Sequence, residues 1–206
     1  MTSVYRLKPA FQALLRPLVK RLARAGVTAN AVTVAALAGS VALGCALFFS
    51  GQTALFLLLP VWMLLRMGLN AVDGMLAREF GQQSALGAYL NELADVVSDA
   101  ALYLPFALIA PFGCLSVGAV ILLSVIAEMA GAMAPMVGAP RCYDGPMGKS
   151  DRALVFGALG LWVGLAGGLP DWLAWSMPAI ALAIGASIIN RVRSGVRQAV
   201  RPHPKG

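Results

Sequence analysis

Residues 53–78 read TALFLLLPVWMLLRMGLNAVDGMLAR, and residues 84–110 read SALGAYLNELADVVSDAALYLPFALIA. Each stretch exceeds the roughly 20 mostly apolar residues that a helix needs to cross a hydrocarbon core about 30 Å thick. Only five residues, Glu79 to Gln83, separate the two stretches. We therefore predict two antiparallel membrane-spanning helices that are joined at one membrane surface.

The composition of the whole chain agrees with a membrane protein. Among its 206 residues, 59% are apolar and 12% are charged, whereas soluble domains have about 45–50% apolar and about 25% charged residues. So little charge cannot cover the surface of a water-soluble globule. The composition excludes soluble, disordered and nucleic-acid-binding chains, and we expect no nucleic acid as a partner.

Six segments are long and apolar enough to span a membrane. They are 28–49, 53–78, 84–110, 113–135, 152–168 and 172–192. The links between them are short, so consecutive spans should run antiparallel. We predict an all-α membrane protein with six transmembrane helices, in which residues 1–206 form a single domain. Residues 28–192 form the bundle, and residues 193–206 form a cytoplasmic tail.

The first 26 residues are basic and amphipathic. Leu7, Phe11, Leu14 and Leu18 recur at helical spacing, with arginines and lysines between them. A helix with that pattern lies in the membrane interface, with its cations among anionic headgroups. We therefore predict an interfacial helix over residues 1–26 and contact with anionic membrane lipids.

The basic residues also predict an orientation. Lysine and arginine accumulate on the cytoplasmic side of membrane proteins. If the N-terminus is cytoplasmic, all 16 lysines and arginines fall on that side. We predict a multi-pass protein of the bacterial inner membrane, with both termini and the active site cytoplasmic.

Acidic residues are concentrated around the connection between the second and third spans. None precedes Asp73, and five then follow within 27 residues: Asp73, Glu79, Glu92, Asp95 and Asp99. A carboxylate at the centre of a transmembrane helix costs about 2.5–3.5 kcal/mol on insertion scales. Several carboxylates together therefore indicate a function.

Polar side chains share one face on each of these two spans. On the second span the face comprises Asn70, Asp73 and Ala77, and on the third it comprises Gly87, Asn91, Asp95 and Asp99. These spacings of three, four or seven residues put side chains on the same side of a helix. Because the two helices are antiparallel neighbours, both faces can converge near the cytoplasmic surface.

The residue types on these faces suit hard cations and phosphate. Oxygen donors without histidine or cysteine favour Mg²⁺ or Mn²⁺, and the only histidine, His203, lies in the proline-rich C-terminal segment. Gly74, Ala77 and Gly87 leave space for a bulky ligand. Arg78 supplies a fixed cation of the kind that binds phosphate. The pattern predicts a polyphosphate site.

The same residues resemble the signature of the CDP-alcohol phosphatidyltransferase family, D-x2-D-G-x2-A-R-x8-G-x3-D-x3-D. Six of its eight fixed positions match: Asp73, Gly74, Ala77, Arg78, Gly87 and Asp95. Asn70 and Asn91 stand where the family has its first and third aspartates. The resemblance covers essentially the whole chain and is closest to a branch of small bacterial inner-membrane proteins.

The resemblance implies an activity. In that family, the hydroxyl of an acceptor alcohol attacks the β-phosphorus of a CDP-alcohol, usually CDP-diacylglycerol, and CMP leaves. It implies two divalent ions held by the aspartates, with Asp95 as the base that takes the acceptor's proton. Gly74, Ala77 and Gly87 would border the nucleotide, and Arg78 would hold its phosphates. We expect a transferase of phospholipid biosynthesis.

The two asparagines reduce the negative charge of the predicted metal site. Asp99, one turn beyond Asp95, could restore one charge, or it could pair with a neighbouring helix. We expect Mg²⁺ or Mn²⁺ at this site, with two ions, one of them at an altered or weakened position. The candidate ligands are Asn70, Asp73, Asn91, Asp95 and Asp99.

Two other functions are compatible with these features. The asparagines also suit a catalytically impaired relative that binds CDP-lipid and acts as a partner or regulatory subunit. Asp99 and Glu128 could form the ion path of a small transporter. Such transporters usually have repeated halves, and the sequence has none, so this interpretation ranks last.

The acceptor alcohol cannot be read from the sequence. A phosphorylated acceptor such as glycerol phosphate would suit the cations Lys149, Arg152, Arg191 and Arg193, but these cations equally satisfy the orientation rule. Glu128 is either a partnered residue of the bundle or part of the site.

A glycine repeat in the fifth span indicates close packing. Gly160, Gly164 and Gly168 recur every four residues, which lets helices approach closely. The repeat could also support a homodimer.

Overall fold

The computed structural model describes residues 4–199, with side chains from residue 11 onward. Within that range it is helical and has no strands, which confirms the predicted all-α fold. Its seven α-helices are α1 (Val4–Arg24), α2 (Ala29–Ser50), α3 (Leu58–Glu79), α4 (Ala85–Tyr103), α5 (Cys114–Ala132), α6 (Lys149–Ala166) and α7 (Ser176–Ala199).

Short 3₁₀ segments account for several differences from the predicted span boundaries. They are Thr53–Leu57 before α3, Leu104–Leu108 after α4, Ala134–Val137 after α5 and Asp171–Trp175 before α7. The predicted tail began at residue 193, but α7 continues to Ala199. The chain meets no proline between Ser194 and Ala199 that would stop the helix. Residues 200–206 of the predicted tail lie outside the described residues.

Four helical elements are long and apolar enough to cross a membrane: Ala29–Ser50, Thr53–Glu79, Cys114–Val137 and Asp171–Ala199. The protein is therefore a multi-pass membrane protein. The other two predicted spans correspond to α4 and α6, which have 19 and 18 residues. At a rise of about 1.5 Å per residue they are about 27–29 Å long. Each contains three charged residues, which makes these helices less apolar, and the count of six spans stays a prediction.

Two hydroxyl side chains begin α2 and α4 at the same end of the bundle. The Thr28 hydroxyl accepts a hydrogen bond from the Ala31 amide at 3.1 Å, and the Ser84 hydroxyl accepts one from the Gly87 amide at 2.9 Å. Gln82, in the connection between α3 and α4, accepts a hydrogen bond from the Ala29 amide at 2.7 Å. The predicted connection thus lies against the start of α2.

Helix α2 packs against both α3 and α4, whereas α3 and α4, which the sequence predicted to be direct neighbours, scarcely pack against each other. Gly44 marks a close approach of α2 to α4, because a Cβ atom there would overlap the backbone oxygen of Ala101. The absence of a side chain at Gly44 therefore allows α2 and α4 to pack closely.

The glycine repeat of α6 packs within the chain. A Cβ atom on Gly160 would lie 2.8 Å from Leu59 Cδ2, and one on Gly164 would lie 2.6 Å from Leu57 Cγ. Both glycines thus allow α6 to approach the start of α3. Gly168 has no heavy atom within 4 Å of such a Cβ, and the homodimer stays a prediction.

Helix α1 lies against α3. Val19 is fully buried beside Val72 and Leu76, and the Arg16 guanidinium binds the Glu79 carboxylate at 3.0 Å. The hydrogen bond to Glu79 raises the pKa of Arg16 above its ordinary value. Leu14 on the other side of α1 is exposed. The helix thus presents apolar surface outward, as the predicted interfacial helix requires.

We predict that Gly44→Ala destabilises the bundle. The added methyl group would overlap the α4 backbone, and overpacking of this kind typically costs about 1–3 kcal/mol. The apparent melting temperature of the purified protein in detergent, followed by tryptophan fluorescence, should fall. Gly68→Ala in α3 is the matched control, because its Cβ would meet no heavy atom within 4 Å. Equal melting temperatures for the two variants would contradict the close contact between α2 and α4.

Candidate active site

A cavity of about 1040 Å³ opens at one end of the bundle. It lies between the starts of α2, α4 and α6, the end of α3 and the loop between α5 and α6. Ligand pockets commonly measure about 300–1,000 Å³, so the cavity has room for a large ligand. Eight of the nine predicted site residues line it: Asn70, Asp73, Gly74, Ala77, Arg78, Gly87, Asn91 and Asp95. The two predicted helix faces therefore meet.

Asp73 is held by α2. Its side chain is almost buried, and its Oδ2 accepts a hydrogen bond from the Thr33 hydroxyl at 2.9 Å. The same hydroxyl lies 3.1 Å from the Ala29 carbonyl oxygen in the preceding turn of α2. Thr33 thus fixes the orientation of a signature carboxylate, a role that the spacing within α3 and α4 does not reveal.

Gly74 makes room for Arg78. A Cβ atom at Gly74 would lie 2.8 Å from Arg78 Nη2, so the guanidinium folds back over the small residue one turn earlier. Among residues 11–199, Arg78 forms no salt bridge with a carboxylate. This cation at the cavity is therefore available to an anionic ligand.

Gly87 makes room for a residue of α2. A Cβ atom there would lie 2.7 Å from Asn30 Oδ1, and Asn30 itself lines the cavity. The space that the sequence suggested for a ligand at Gly87 is thus partly filled by an amide side chain.

Asp95 is surrounded by cations and an amide. Its Oδ1 lies 3.4 Å from Arg66 Nη2 and accepts a hydrogen bond from Asn70 Nδ2 at 3.3 Å. The Lys149 ammonium at the start of α6 also pairs with Oδ1. The contact with Asn70 joins the two helix faces directly.

Asp99 does not line the cavity with the other residues. It is buried, and its Oδ1 binds Arg66 Nη1 at 2.5 Å while its Oδ2 binds Arg152 Nη2 at 3.1 Å. Both carboxylate oxygens are therefore occupied by guanidinium groups. This is the alternative in which Asp99 pairs with neighbouring helices, and it leaves no free oxygen of Asp99 for a metal ion.

Glu128 forms salt bridges with arginines and also lines the cavity. Its carboxylate lies 2.9 Å from Arg152 Nη2, 3.4 Å from Arg191 Nη1 and 3.5 Å from Arg141 Nη2. Arg141 also pairs with Glu92. We call the connected set the ion-pair network. Its members are Arg66, Glu92, Asp95, Asp99, Glu128, Arg141, Lys149, Arg152 and Arg191.

Several lining residues are not among the fixed positions of the motif that predicted the site. They include Asn30, Thr33, Gln82, Glu92, Arg141, Tyr143 and Arg191. Asn30 and Thr33 stand at the start of the first span, where polar residues interrupt an apolar segment, and that was the available signal. The residues after α5 follow no helical spacing that would place them at the cavity.

The oxygen donors of the cavity fit a hard divalent cation. It offers the carboxylates of Asp73 and Asp95 and the amide oxygens of Asn70 and Asn91, and Mg²⁺ and Mn²⁺ prefer such donors. The residues described contain no group of three or more His, Cys, Asp or Glu side chains arranged to hold a metal. The donor chemistry therefore fits, with less negative charge than four aspartates would supply.

Solved structures share this fold. The phosphatidylinositol phosphate synthase of Mycobacterium tuberculosis with CDP-DAG bound matches with a TM-score of 0.73 at 21% identity, covering 91% of this chain and 96% of that one. Its complex with manganese and citrate matches with a TM-score of 0.72 at 22% identity, covering 91% and 92%.

Sequence comparisons agree with the resemblance at the signature. Inner membrane protein YnbA of Escherichia coli (strain K12) is 47% identical over 197 residues, covering 93% of this chain and 96% of YnbA. A phosphatidylinositol phosphate synthase of Mycobacterium marinum is 34% identical over 100 residues, covering 47% and 40%. The CDP-alcohol phosphatidyltransferase family model matches residues 26–188. The chain therefore belongs to the CDP-alcohol phosphatidyltransferase family, whose members are membrane enzymes that transfer a phosphatidyl group in phospholipid synthesis.

Proposed function

We propose that this protein transfers a phosphatidyl group from CDP-diacylglycerol to the hydroxyl of an acceptor alcohol and releases CMP. The observation that carries the proposal is the convergence of the signature residues of α3 and α4 on one large cavity. The related synthase solved with CDP-DAG bound supports this choice of donor.

The diphosphate of the donor would bind beside Arg78. This guanidinium has no carboxylate partner among residues 11–199, it lies over Gly74, and the small residue Ala77 lines the cavity beside it. Arginine binds phosphate oxygens with charge-assisted hydrogen bonds. Gly87 and Ala88 would border the nucleotide on the α4 side.

A divalent ion, Mg²⁺ or Mn²⁺, would be held by Asp73 and Asp95 together with the amide oxygens of Asn70 and Asn91. When bound, it neutralises the diphosphate and polarises its phosphoryl oxygens. The related synthase solved with manganese supports this kind of ion. Two carboxylates and two neutral amides supply too little negative charge for two divalent ions, so a second ion would be weakly held. Asp99 is outside the ligand set that we propose, because both of its oxygens bind arginines.

Asp95 would act as the general base. The acceptor oxygen forms a bond to the β-phosphorus, the bond from that phosphorus to the oxygen of CMP breaks, and Asp95 takes the hydroxyl proton. Arg66 binds both the carboxylate and the backbone carbonyl of Asp95, the latter at 3.0 Å. The base is thus held in place by the preceding helix.

We further propose that all six helices from α2 to α7 span the bacterial inner membrane as a single domain, with the cavity facing the cytoplasm. The exposed cations at the cavity end support this orientation, because cytoplasmic ends of membrane proteins are rich in lysine and arginine. They include Arg16, Lys20, Arg21, Arg24, Arg193 and Arg197. The inner membrane location of the relative YnbA agrees with this placement.

A catalytically impaired relative is the second candidate function. Two observations favour it: asparagines replace two signature aspartates, and the Lys149 ammonium pairs with the proposed base. Such a protein would bind CDP-lipid and act as a partner or regulatory subunit.

We predict that Asp95→Ala abolishes CMP release. Purified protein would be assayed with CDP-diacylglycerol, Mg²⁺ or Mn²⁺ and a panel of alcohols. A general base typically contributes about 10²–10⁴-fold to the rate, so release should fall by at least about 100-fold. Asp171→Ala, an exposed position outside the cavity, is the matched control and should keep wild-type activity. A wild type as inert as Asp95→Ala with every acceptor would favour the impaired relative instead.

We predict that Asn70→Asp and Asn91→Asp strengthen metal binding. Each replaces a neutral amide at the cavity with a carboxylate, so both should lower the Mn²⁺ concentration that half-saturates the protein in electron paramagnetic resonance titrations. The Mn²⁺ requirement for CMP release should fall in parallel. Asn190→Asp adds the same charge at an exposed position of α7 outside the cavity and should change neither. Unchanged Mn²⁺ binding in the first two variants would contradict the proposed ligand set.

A further inference from the structure

One part of the cavity lining consists of matched opposite charges. We call it the paired wall, and it comprises Glu92, Asp95, Glu128, Arg141, Lys149 and Arg191. These residues come from α4, α5, α6, α7 and the loop before α6. The wall contains three carboxylates and three cations.

Each cation of the paired wall contacts a carboxylate of the same wall. Arg141 pairs with Glu92, and Lys149 pairs with Asp95. Arg191 lies 3.4 Å from Glu128, which also lies 3.5 Å from Arg141. The side chains of Arg191 and Glu128 are at most 10% exposed, so water screens this contact poorly. The wall therefore has no free cation for an anion.

The charge balance extends to the whole cavity. Its lining and the buried residues behind it contain six carboxylates: Asp73, Glu92, Asp95, Asp99, Glu128 and Asp151. They also contain six cations: Arg66, Arg78, Arg141, Lys149, Arg152 and Arg191. The chain as a whole has a formal charge of +7. The basic surplus thus lies outside the cavity.

This balance acts against phosphate at the paired wall. A phosphate monoester carries about −1.5 to −2 charges at pH 7, and it would meet three carboxylates at close range. To bind the cations it would have to separate them from Glu92 and Glu128. The buried Glu128 would then lose Arg141 and Arg191 and keep only Arg152, which it shares with Asp99, and loss of partners by a buried charge is unfavourable.

The paired wall suits hydroxyl groups instead. Guanidinium and ammonium groups only donate hydrogen bonds, ionised carboxylates only accept them, and a hydroxyl does both. The wall alternates these two kinds of group, so neighbouring hydroxyls of one molecule can bind between them. Tyr143 lines the same region, with its ring 5.0 Å from the Arg141 guanidinium.

We infer that the acceptor is an uncharged polyhydroxy alcohol such as glycerol or inositol, and that the paired wall excludes phosphorylated alcohols. The inference rests on the proposed function and specifies the acceptor class of that site. The sequence alone left open a phosphorylated acceptor bound by these cations. The pairing of the cations with carboxylates argues against that alternative.

The first test compares matched acceptors in the CMP-release assay. Glycerol would be compared with glycerol 3-phosphate, and inositol with inositol 1-phosphate, at equal concentrations with CDP-diacylglycerol and Mn²⁺. For whichever pair supports CMP release, we expect kcat/KM to be at least about tenfold higher with the uncharged alcohol than with its phosphate. A higher value for the phosphorylated member would overturn the inference.

The second test measures binding and does not depend on turnover. Isothermal titration calorimetry with glycerol 3-phosphate should detect only weak binding to the wild type, because Arg78 is the one cation lining the cavity that has no carboxylate partner among residues 11–199. Glu128→Gln and Glu92→Gln each remove one carboxylate and free a cation of the wall, so both should gain binding at least about tenfold tighter than the wild type. Glu92 is a third exposed and pairs with one arginine, so its variant should fold even if Glu128→Gln does not.

Glu79→Gln is the matched control for both variants, because Glu79 pairs with Arg16 outside the cavity. It should bind glycerol 3-phosphate no better than the wild type. Wild-type affinity for glycerol 3-phosphate equal to that of Glu92→Gln would overturn the inference. If the wild type released no CMP with any acceptor, the proposed function would fail, and the titrations alone would decide whether the wall excludes phosphate.

Discussion

The buried contacts of Arg152 with Asp99 and Glu128 are the constraint on which the site depends. Arg152 is fully buried, and these two carboxylates come from α4 and α5. Arg66 of α3 shares Asp99 with it. A buried charge without a partner is strongly destabilising, so four helices must stay together at this level of the bundle. The cavity opens directly beyond these contacts, and its shape follows from them.

The same contacts separate residues that look equivalent in the sequence. Asp95 and Asp99 are one turn apart on the same face of α4, yet Asp95 lines the cavity while Asp99 is enclosed by two arginines. Arg66 contacts both carboxylates. It thus fixes Asp95 at the edge of the cavity by holding Asp99 behind it, which suits a group that we propose as the general base.

Helical spacing was enough to predict which residues of α3 and α4 face the same cavity, although the two helices pack mainly against α2 and not, as predicted, against each other. Spacing could not predict the fate of Asp99, since its partner Arg152 lies 53 residues away in the chain. The contribution of α2 was missed for the same reason: Thr33 reaches Asp73 across 40 residues. Two predicted spans also include the 3₁₀ segments Thr53–Leu57 and Leu104–Leu108. An apolar sequence pattern does not distinguish a 3₁₀ helix from an α-helix, so the predicted boundaries of the α-helices were too wide there.

The basic residues of the chain fall into two groups with different roles, and their total number does not reveal this division. Those of α1 and the end of α7, such as Lys20, Arg21 and Arg197, are exposed and have the positions of cations that bind anionic headgroups. Those at the cavity are cancelled by carboxylates, with the exception of Arg78. A membrane surface attracts the first group without specificity, whereas the second group offers alternating donors and acceptors that, as we infer, suit uncharged hydroxyl groups. The cavity can therefore discriminate among acceptors even though the surrounding surface attracts anions of every kind.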